Sequence, residues 1–273
     1  MKNLKMTNAK VPIVLVLIIF IIHSMAGSIS LSALFNLYAL EIIVAGVVLS
    51  VIVGFSFQTV IDTVTLIRSS FTDPVVYEDD LHFIHQVSIK VKKDGLLSLN
   101  LDIEQEEDSF IRDALILLND YKKADVIHEI MKKDIESRRT NLYRSYNLLK
   151  VISYVAPSFG LIGTLIGMIG LLSHLDQTYA IMGHMATALV STLYGSLIAS
   201  FIAVPLMVRI REYIESIILR YQMIMEGILL IAHNDSARNV FDRMNVMLKE
   251  EDRLVYPRRT ETERMVHRLG SEI

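Results

Sequence analysis

The chain has no cysteine and no tryptophan among its 273 residues. The first absence excludes disulfides, thiolate nucleophiles and cysteine-held metals, and it leaves the compartment open. Proline is scarce, with 5 residues, so little in the chain breaks a helix. Charge is missing from long stretches: residues 151–172 and 179–208 contain no Lys, Arg, Asp or Glu. About 20 apolar residues cross a bilayer core, so each stretch reads as a membrane helix. An excess of one charge sign is also lacking. The net charge is −3, with 27 basic and 30 acidic residues interleaved, which gives no polybasic patch and no nucleic-acid partner. No nucleophile–base pair, phosphate loop or metal-ligand spacing is present, so neither an enzyme nor a cofactor or metal is expected. His82 and His85, three residues apart, read as surface residues.

What is there is apolar. Hydrophobic residues make up 52% of the chain and its mean hydropathy is +0.42, high for a soluble domain. Two more apolar stretches lie near the start. Residues 11–34 are densest at 13–22, and residues 37–57 carry one charge, Glu41. Lys2, Lys5 and Lys10 before the first stretch, with Ala26-Gly27-Ser28 after it, would also suit a cleaved signal peptide. The immediate second span favours a retained helix. Positive residues stay on the cytoplasmic side near span ends. Here 3 fall in residues 2–10, 13 in 68–150 and 11 in 209–268, with none in 11–67 or 151–208.

The expected architecture is an all-α membrane protein with four transmembrane helices. Residues 1–10 form a cytoplasmic N-terminus and 11–67 the first two spans. A helical cytoplasmic domain covers 68–147, spans three and four cover 148–208, and a cytoplasmic helical tail covers 209–273. Short outer loops fall near 27–38 and 173–178. The expected chain is multi-pass in a membrane, with both termini cytoplasmic. In the cytoplasmic domain Leu81, Ile84, His85 and Ser88 form a short amphipathic stripe that Asp94-Gly95 breaks. Residues 96–103 are strand-like or helical by pattern. Phe110, Ala114, Leu117 and Leu118 mark a helix, as do Val126, Ile127, Ile130, Met131, Asp134 and Ile135. Ile210, Ile214, Ile217, Ile218, Tyr221, Met225 and Leu229 continue the fourth span at helical spacing.

The third and fourth spans are dotted with small and hydroxyl residues, which a plain anchor does not need. Gly160, Gly163, Thr164, Gly167 and Gly170 occur in one, and Thr187, Ser191, Thr192, Gly195, Ser196 and Ser200 in the other. Small residues let helices approach, and hydroxyls place oxygen at membrane depth. Charged and histidine residues within the four apolar stretches are few: His23, Glu41 and His184. A cation path requires a titratable acid or several oxygens. If spans three and four line such a path, the acid comes from another chain. The plainer alternative is that the hydroxyls bond to helix carbonyls and pack the helices.

The run Ala156-Pro157-Ser-Phe-Gly160-Leu-Ile-Gly163-Thr164-Leu-Ile-Gly167 resembles the third span of the MotA/PomA flagellar stator family. Met185-Ala-Thr-Ala-Leu-Val-Ser-Thr192-Leu-Tyr-Gly195, followed by Pro205, resembles the fourth. The 28-residue spacing of the two threonines is similar to the sodium-type pattern. Ile224-Met225-Glu226-Gly227-Ile228-Leu229 looks like the family's tail motif, and Lys92-Lys93-Asp94-Gly95 like its charged cytoplasmic segment. The resemblance is strong over residues 157–205 and weak over the first 35.

The resemblance implies an ion-conducting stator subunit that couples cation flow to rotation and torque. It implies a homo-pentamer around a MotB/PomB-like single-span partner that supplies the membrane Asp, and a FliG-like rotor switch protein as the driven partner. Thr164, Thr192, Ser191, Gly160, Gly163 and Gly167 then line the ion path, and Pro157 and Pro205 are hinge or structural residues. Asn36 and Glu41 stand at the outer entrance. Lys92, Lys93, Asp102, Glu104, Glu106 and Glu107 face the rotor, with Asn100 where relatives commonly carry Glu. Thr164 stands where proton-type relatives tend to carry Ala, which favours Na+ over H+. The alternative is a divergent MotA/TolQ/ExbB-like energiser, or a non-conducting scaffold serving a non-flagellar machine. TolQ/ExbB relatives have three spans and an outside N-terminus, which the charge placement disfavours.

Overall fold

A computed structural model of the chain describes Val16 and residues 35–120, 123–174 and 178–257. Apart from Val16, the expected first span, with His23 and the lysines before it, lies outside the described residues. So do residues 27–34 and 175–177 of the expected outer loops and residues 258–273 of the tail. Among the described residues every regular element is helical. In chain order these are α1 (Leu37–Gly54), α2 (Phe57–Thr72), α3 (Glu78–Asp94), a 3-10 turn (Leu96–Leu99), α4 (Asn100–Gln105) and α5 (Ser109–Asn119). Then come α6 (Ala124–Ser173), α7 (Thr178–Leu197), a π-helical segment (Ile198–Ala203), α8 (Val204–Ala232), α9 (Ala237–Val246) and a 3-10 turn (Glu250–Asp252). Residues 96–103 are therefore helical.

Three stretches among the described residues are long and apolar enough to cross a membrane: Leu37–Gly54, Ala124–Ser173 and Ile181–Ala232. The chain divides into two compact units. The first is Met1–Val60 with Asn147–Met207, and the second is Ile61–Tyr146 with Val208–Ile273. The second unit takes in most of α2.

In the first unit, α1 begins where Asn36 caps it: the Ala39 N–H donates to Asn36 Oδ1 at 2.9 Å. This satisfies one of the free amides of the first turn. Pro157 lies inside α6 without interrupting it. Pro205 follows the π-helical segment, where the Val204 N–H reaches back to the Ala199 carbonyl. A proline ring crowds the carbonyl four residues earlier, and the wider π turn gives it room.

The second unit packs around α8, whose Ile210, Ile214, Ile218, Ile224 and Ile228 are buried. In α3, three acids open the helix and Lys92 and Lys93 close it, matching the helix dipole. The helix stops at Gly95, whose φ of 78° is left-handed. Its expected stripe is buried as predicted. His85, however, is not a surface residue. It is 3% exposed and sits edge-on to Phe241 and Tyr256, with ring centroids 5.5 and 5.4 Å away. Burial lowers its pKa, which keeps the imidazole neutral among those rings. In α5 the buried side includes Ile111 and Leu115, with Leu117 only half-buried. In α6, Ile127, Met131 and Ile135 are buried, while Val126 and Ile130 are exposed.

One guanidinium joins three helices of this unit. Arg220 of α8 donates Nε and a terminal nitrogen to the two oxygens of Asp80, at 2.5 and 2.7 Å. Its other terminal nitrogen donates to Asp108 at 2.7 Å. Asp108 in turn caps α5, accepting the Phe110 N–H at 2.8 Å. Burial by itself raises the Asp108 carboxyl, but hydrogen bonding and charge from Arg220 outweigh it and hold the carboxyl below its usual range. That contribution is present above the ordinary aspartate pKa of about 3.9 and is lost as pH falls through the lower folded value. Beside this node, Arg138 lies over the Phe110 and Tyr221 rings, 5.4 and 5.6 Å from their centroids. It also bonds Asp134 at 2.8 Å.

Arg220→Met leaves the Asp80 carboxylate, 9% exposed, without its partner. Stranding a buried charge costs roughly 3 kcal/mol, so thermal unfolding of the detergent-purified protein should shift down by several degrees at pH 7. An unchanged transition would mean that the node contributes nothing.

Candidate functional site

The candidate site lies in the first unit, where residues 147–173 of α6 pack along α7. Small residues set the spacing. A Cβ on Gly160 would stand 3.0 Å from the Ser191 carbonyl oxygen and 3.3 Å from Thr192 Cα. One on Gly163 would meet Ser191 Cβ at 2.6 Å, and one on Gly167 would meet Ala188 Cβ at 2.7 Å. From the other side, a Cβ on Gly195 would come within 2.5 Å of the Ala156 carbonyl oxygen. Backbones this close gain dispersion contact where lipid offers no hydrophobic drive. The Phe159 ring lies over Gly46 of α1.

This approach brings the two predicted threonines together. Thr164 and Thr192 hydroxyls are hydrogen-bonded to each other. Thr164 Oγ1 is also 3.2 Å from the Gly160 carbonyl and 3.1 Å from the Ala188 carbonyl. Thr192 Oγ1 is 3.5 Å from the Gly160 carbonyl. Each hydroxyl has one proton to donate and two lone pairs. Two protons shared among two hydroxyls and two carbonyls leave oxygen lone pairs in surplus. Thr164 is half-buried and Thr192 exposed, so the cluster presents oxygen at the edge of the hairpin. That is a donor set suited to a hard cation, and it has no carboxylate of its own.

Ser191 is placed differently. It is fully buried and donates to the Ala188 carbonyl at 2.9 Å, filling the notch at Gly163. At the start of α1, Asn36 donates from Nδ2 to Thr187 Oγ1 at 2.9 Å. Its backbone N–H donates to the Tyr194 hydroxyl at 3.3 Å. Asn36 thus ties α1 to α7, while Glu41 is exposed. Tyr194 escaped the sequence reading because a tyrosine in an apolar span carries no signal of its own. The stacked rings of His174 and His184, 5.2 Å apart, were equally hidden.

The charged residues expected to face a rotor all belong to the second unit. Lys92, Lys93, Glu104 and Glu107 are exposed. Asp102 instead pairs with Lys90 at 2.6 Å, and Glu106 Oε1 accepts the Asp108 N–H at 2.9 Å. Asn100 accepts from Asn119 Nδ2 at 3.0 Å.

Close packing at Gly163 makes a direct comparison with Gly54, which has open space around its Cβ position. Gly163→Ala should destabilise the purified protein by about 1–3 kcal/mol, the cost of overpacking, and Gly54→Ala by almost nothing. Equal melting temperatures for the two variants would contradict the tight contact.

Residues 102–223 match the model of the MotA/TolQ/ExbB proton channel family. The chain is 27% identical over 225 residues to Motility protein A of Treponema phagedenis, covering 82% of this chain and 87% of that one. It is 27% identical over 236 residues to the chemotaxis protein PomA of Vibrio alginolyticus, covering 86% and 92%. A solved structure of C. jejuni MotAB superposes with a TM-score of 0.80 at 20% identity, covering 90% of this chain and 96% of that chain. That likeness shows the fold, an all-helical membrane protein. The threonine-bearing α6–α7 hairpin lies inside residues 102–223, the segment that matches the MotA/TolQ/ExbB proton channel family.

Proposed function

We propose that this chain is the ion-conducting stator subunit of a bacterial flagellar motor, coupling cation flow to rotation. The observation that carries the reading is the Thr164–Thr192 cluster. It supplies hydroxyl and carbonyl oxygens on a membrane hairpin whose residues 151–172 and 179–208 hold no acid. A path built on it needs a carboxylate from elsewhere. A MotB/PomB-like single-span partner with a membrane aspartate meets that need, and the MotAB complex that shares this fold supports such a partner. Five copies form the ring around the partner, in the inner membrane, with both termini cytoplasmic. Na+ is the preferred ion, because a dehydrated Na+ requires several oxygens whereas a proton requires only the acid. Lys92, Lys93, Glu104 and Glu107 face a FliG-like rotor protein, steering and registering it by charge.

Thr164→Ala and Thr192→Ala should each slow swimming several-fold without reducing the amount of protein in the membrane. The residual motility should still respond to Na+. Normal swimming in both variants would remove the pair from the ion path. Motility that persists without Na+ and collapses with a protonophore would assign the proton instead.

Exposed charge pairs are individually weak, so neutralising Lys92 or Lys93 alone should change torque little. Reversing both to Glu should lower it at high load, and a compensating reversal on the rotor protein should restore part. Full torque in the double reversal would move the rotor contact elsewhere.

A further inference from the structure

We propose that Arg68 and Arg209 form a binding site for the phosphate of an anionic phospholipid headgroup, with the Phe71 ring beside them. Each arginine is the first basic residue after a long run without one. No Lys or Arg occurs in residues 11–67 before Arg68, or in 151–208 before Arg209. Both stand where apolar stretches end, which is the level of the lipid phosphates.

The fold of the second unit joins these two boundaries. Arg209 of α8 donates a terminal nitrogen to the Ser70 carbonyl of α2. Its guanidinium lies over the Phe71 ring, 4.3 Å from the centroid. Arg68 precedes Phe71 by three residues on α2, so the two are neighbours on one helix face. Arg68 is exposed, and Phe71 is 58% exposed. A bare phenyl ring is costly in water but suits the boundary between headgroups and acyl chains. The site therefore offers cations to a phosphate and an apolar surface to the chain attached to it. Inorganic phosphate shares only the first of these contacts.

Neither cation has an acid of its own. Arg138, Arg139, Arg220 and Arg243 each pair with a carboxylate. Among the described residues Arg68 and Arg209 do not. A guanidinium carries five N–H donors, and the Arg209 Nε is buried without a partner. Most of the hydrogen-bonding capacity at this boundary is thus unmet within the chain, and guanidinium matches phosphate oxygens well. The nearby acids do not cancel the charge. Asp73 and Glu212 follow Arg68 and Arg209 in sequence, away from the uncharged runs. Asp73 stands near Tyr213, whose pKa is raised by burial and by that carboxylate. Asp62 precedes Arg68 but lies a third of a turn away around α2. A lipid held here ties α2 to α8, and its binding requires neither ion conduction nor a rotor.

Thermal unfolding of the detergent-purified full chain tests this with three probes at equal concentration. These are dihexanoylphosphatidylglycerol, dihexanoylphosphatidylcholine and inorganic phosphate. The phosphatidylglycerol should raise the wild-type midpoint by several degrees, and the other two should have little effect. The Arg68→Gln/Arg209→Gln variant should lose the shift. Arg209 also braces α2 through Ser70, so Arg68→Gln alone is the variant that leaves the fold intact. It should melt like the wild type without lipid and bind the phosphatidylglycerol about fivefold more weakly. A Lys132→Gln/Lys249→Gln variant removes the same charge elsewhere and should keep the full shift. No shift in the wild type would overturn the proposal, as would unchanged lipid affinity in Arg68→Gln. An equal shift from phosphatidylcholine would rule out recognition of the anionic headgroup, and an equal shift from inorganic phosphate would rule out the lipid.

Discussion

The close approach of α6 and α7 is the constraint on which the site depends. Gly163 and Gly167 on one helix meet Ser191 and Ala188 on the other at distances that leave no room for a methyl group, and Gly160 lies tight against Ser191 and Thr192. In a membrane this packing is held by dispersion and by backbone-directed hydroxyls rather than by exclusion of water. It also decides chemistry. Thr164 and Thr192 are 28 residues apart in the chain, and they touch only because the glycines let the backbones come together. A wider spacing would leave two unrelated hydroxyls, each bonded to its own helix.

The small residues also divide labour among the hydroxyls. Ser191 is buried and satisfied within its own turn, so it packs. Thr192, one residue on, points to the hairpin edge and is exposed. One residue on an α-helix rotates a side chain by about 100°, which separates a packing role from a ligand role. On the proposed reading, the exposed edge is where a partner helix brings its carboxylate. Asn36 extends the same logic to α1, bonding both Thr187 and Tyr194 of α7.

The second unit is organised differently, around charge. Arg220 gathers Asp80 and Asp108, so the start of α3 and the cap of α5 are tied to one position on α8. Such a bidentate fork gives direction as well as attraction. It fixes which carboxylates are structural and leaves others, such as Glu104 and Glu107, to solvent. Lys90 does the same for Asp102. The charged surface proposed for a rotor is thus smaller than the count of charges in residues 92–107 suggests.

The sequence by itself determined what depends on composition and period. Uncharged runs marked spans three and four, Gly95 ended α3, and the stripe Leu81, Ile84, His85 and Ser88 marked its buried side. It also showed that residues 151–172 and 179–208 hold no acid of their own. Periodicity, however, says which side of a helix is covered and not what covers it. Only the tertiary structure decided that Thr164 bonds Thr192 rather than its own helix alone, and that Asp102 is paired. Only it enclosed His85 between Phe241 and Tyr256, residues more than 150 positions away. The physical reason is the same in each case. A side chain's role is set by the few atoms within hydrogen-bond or van der Waals reach, and folding brings those atoms from distant parts of the chain.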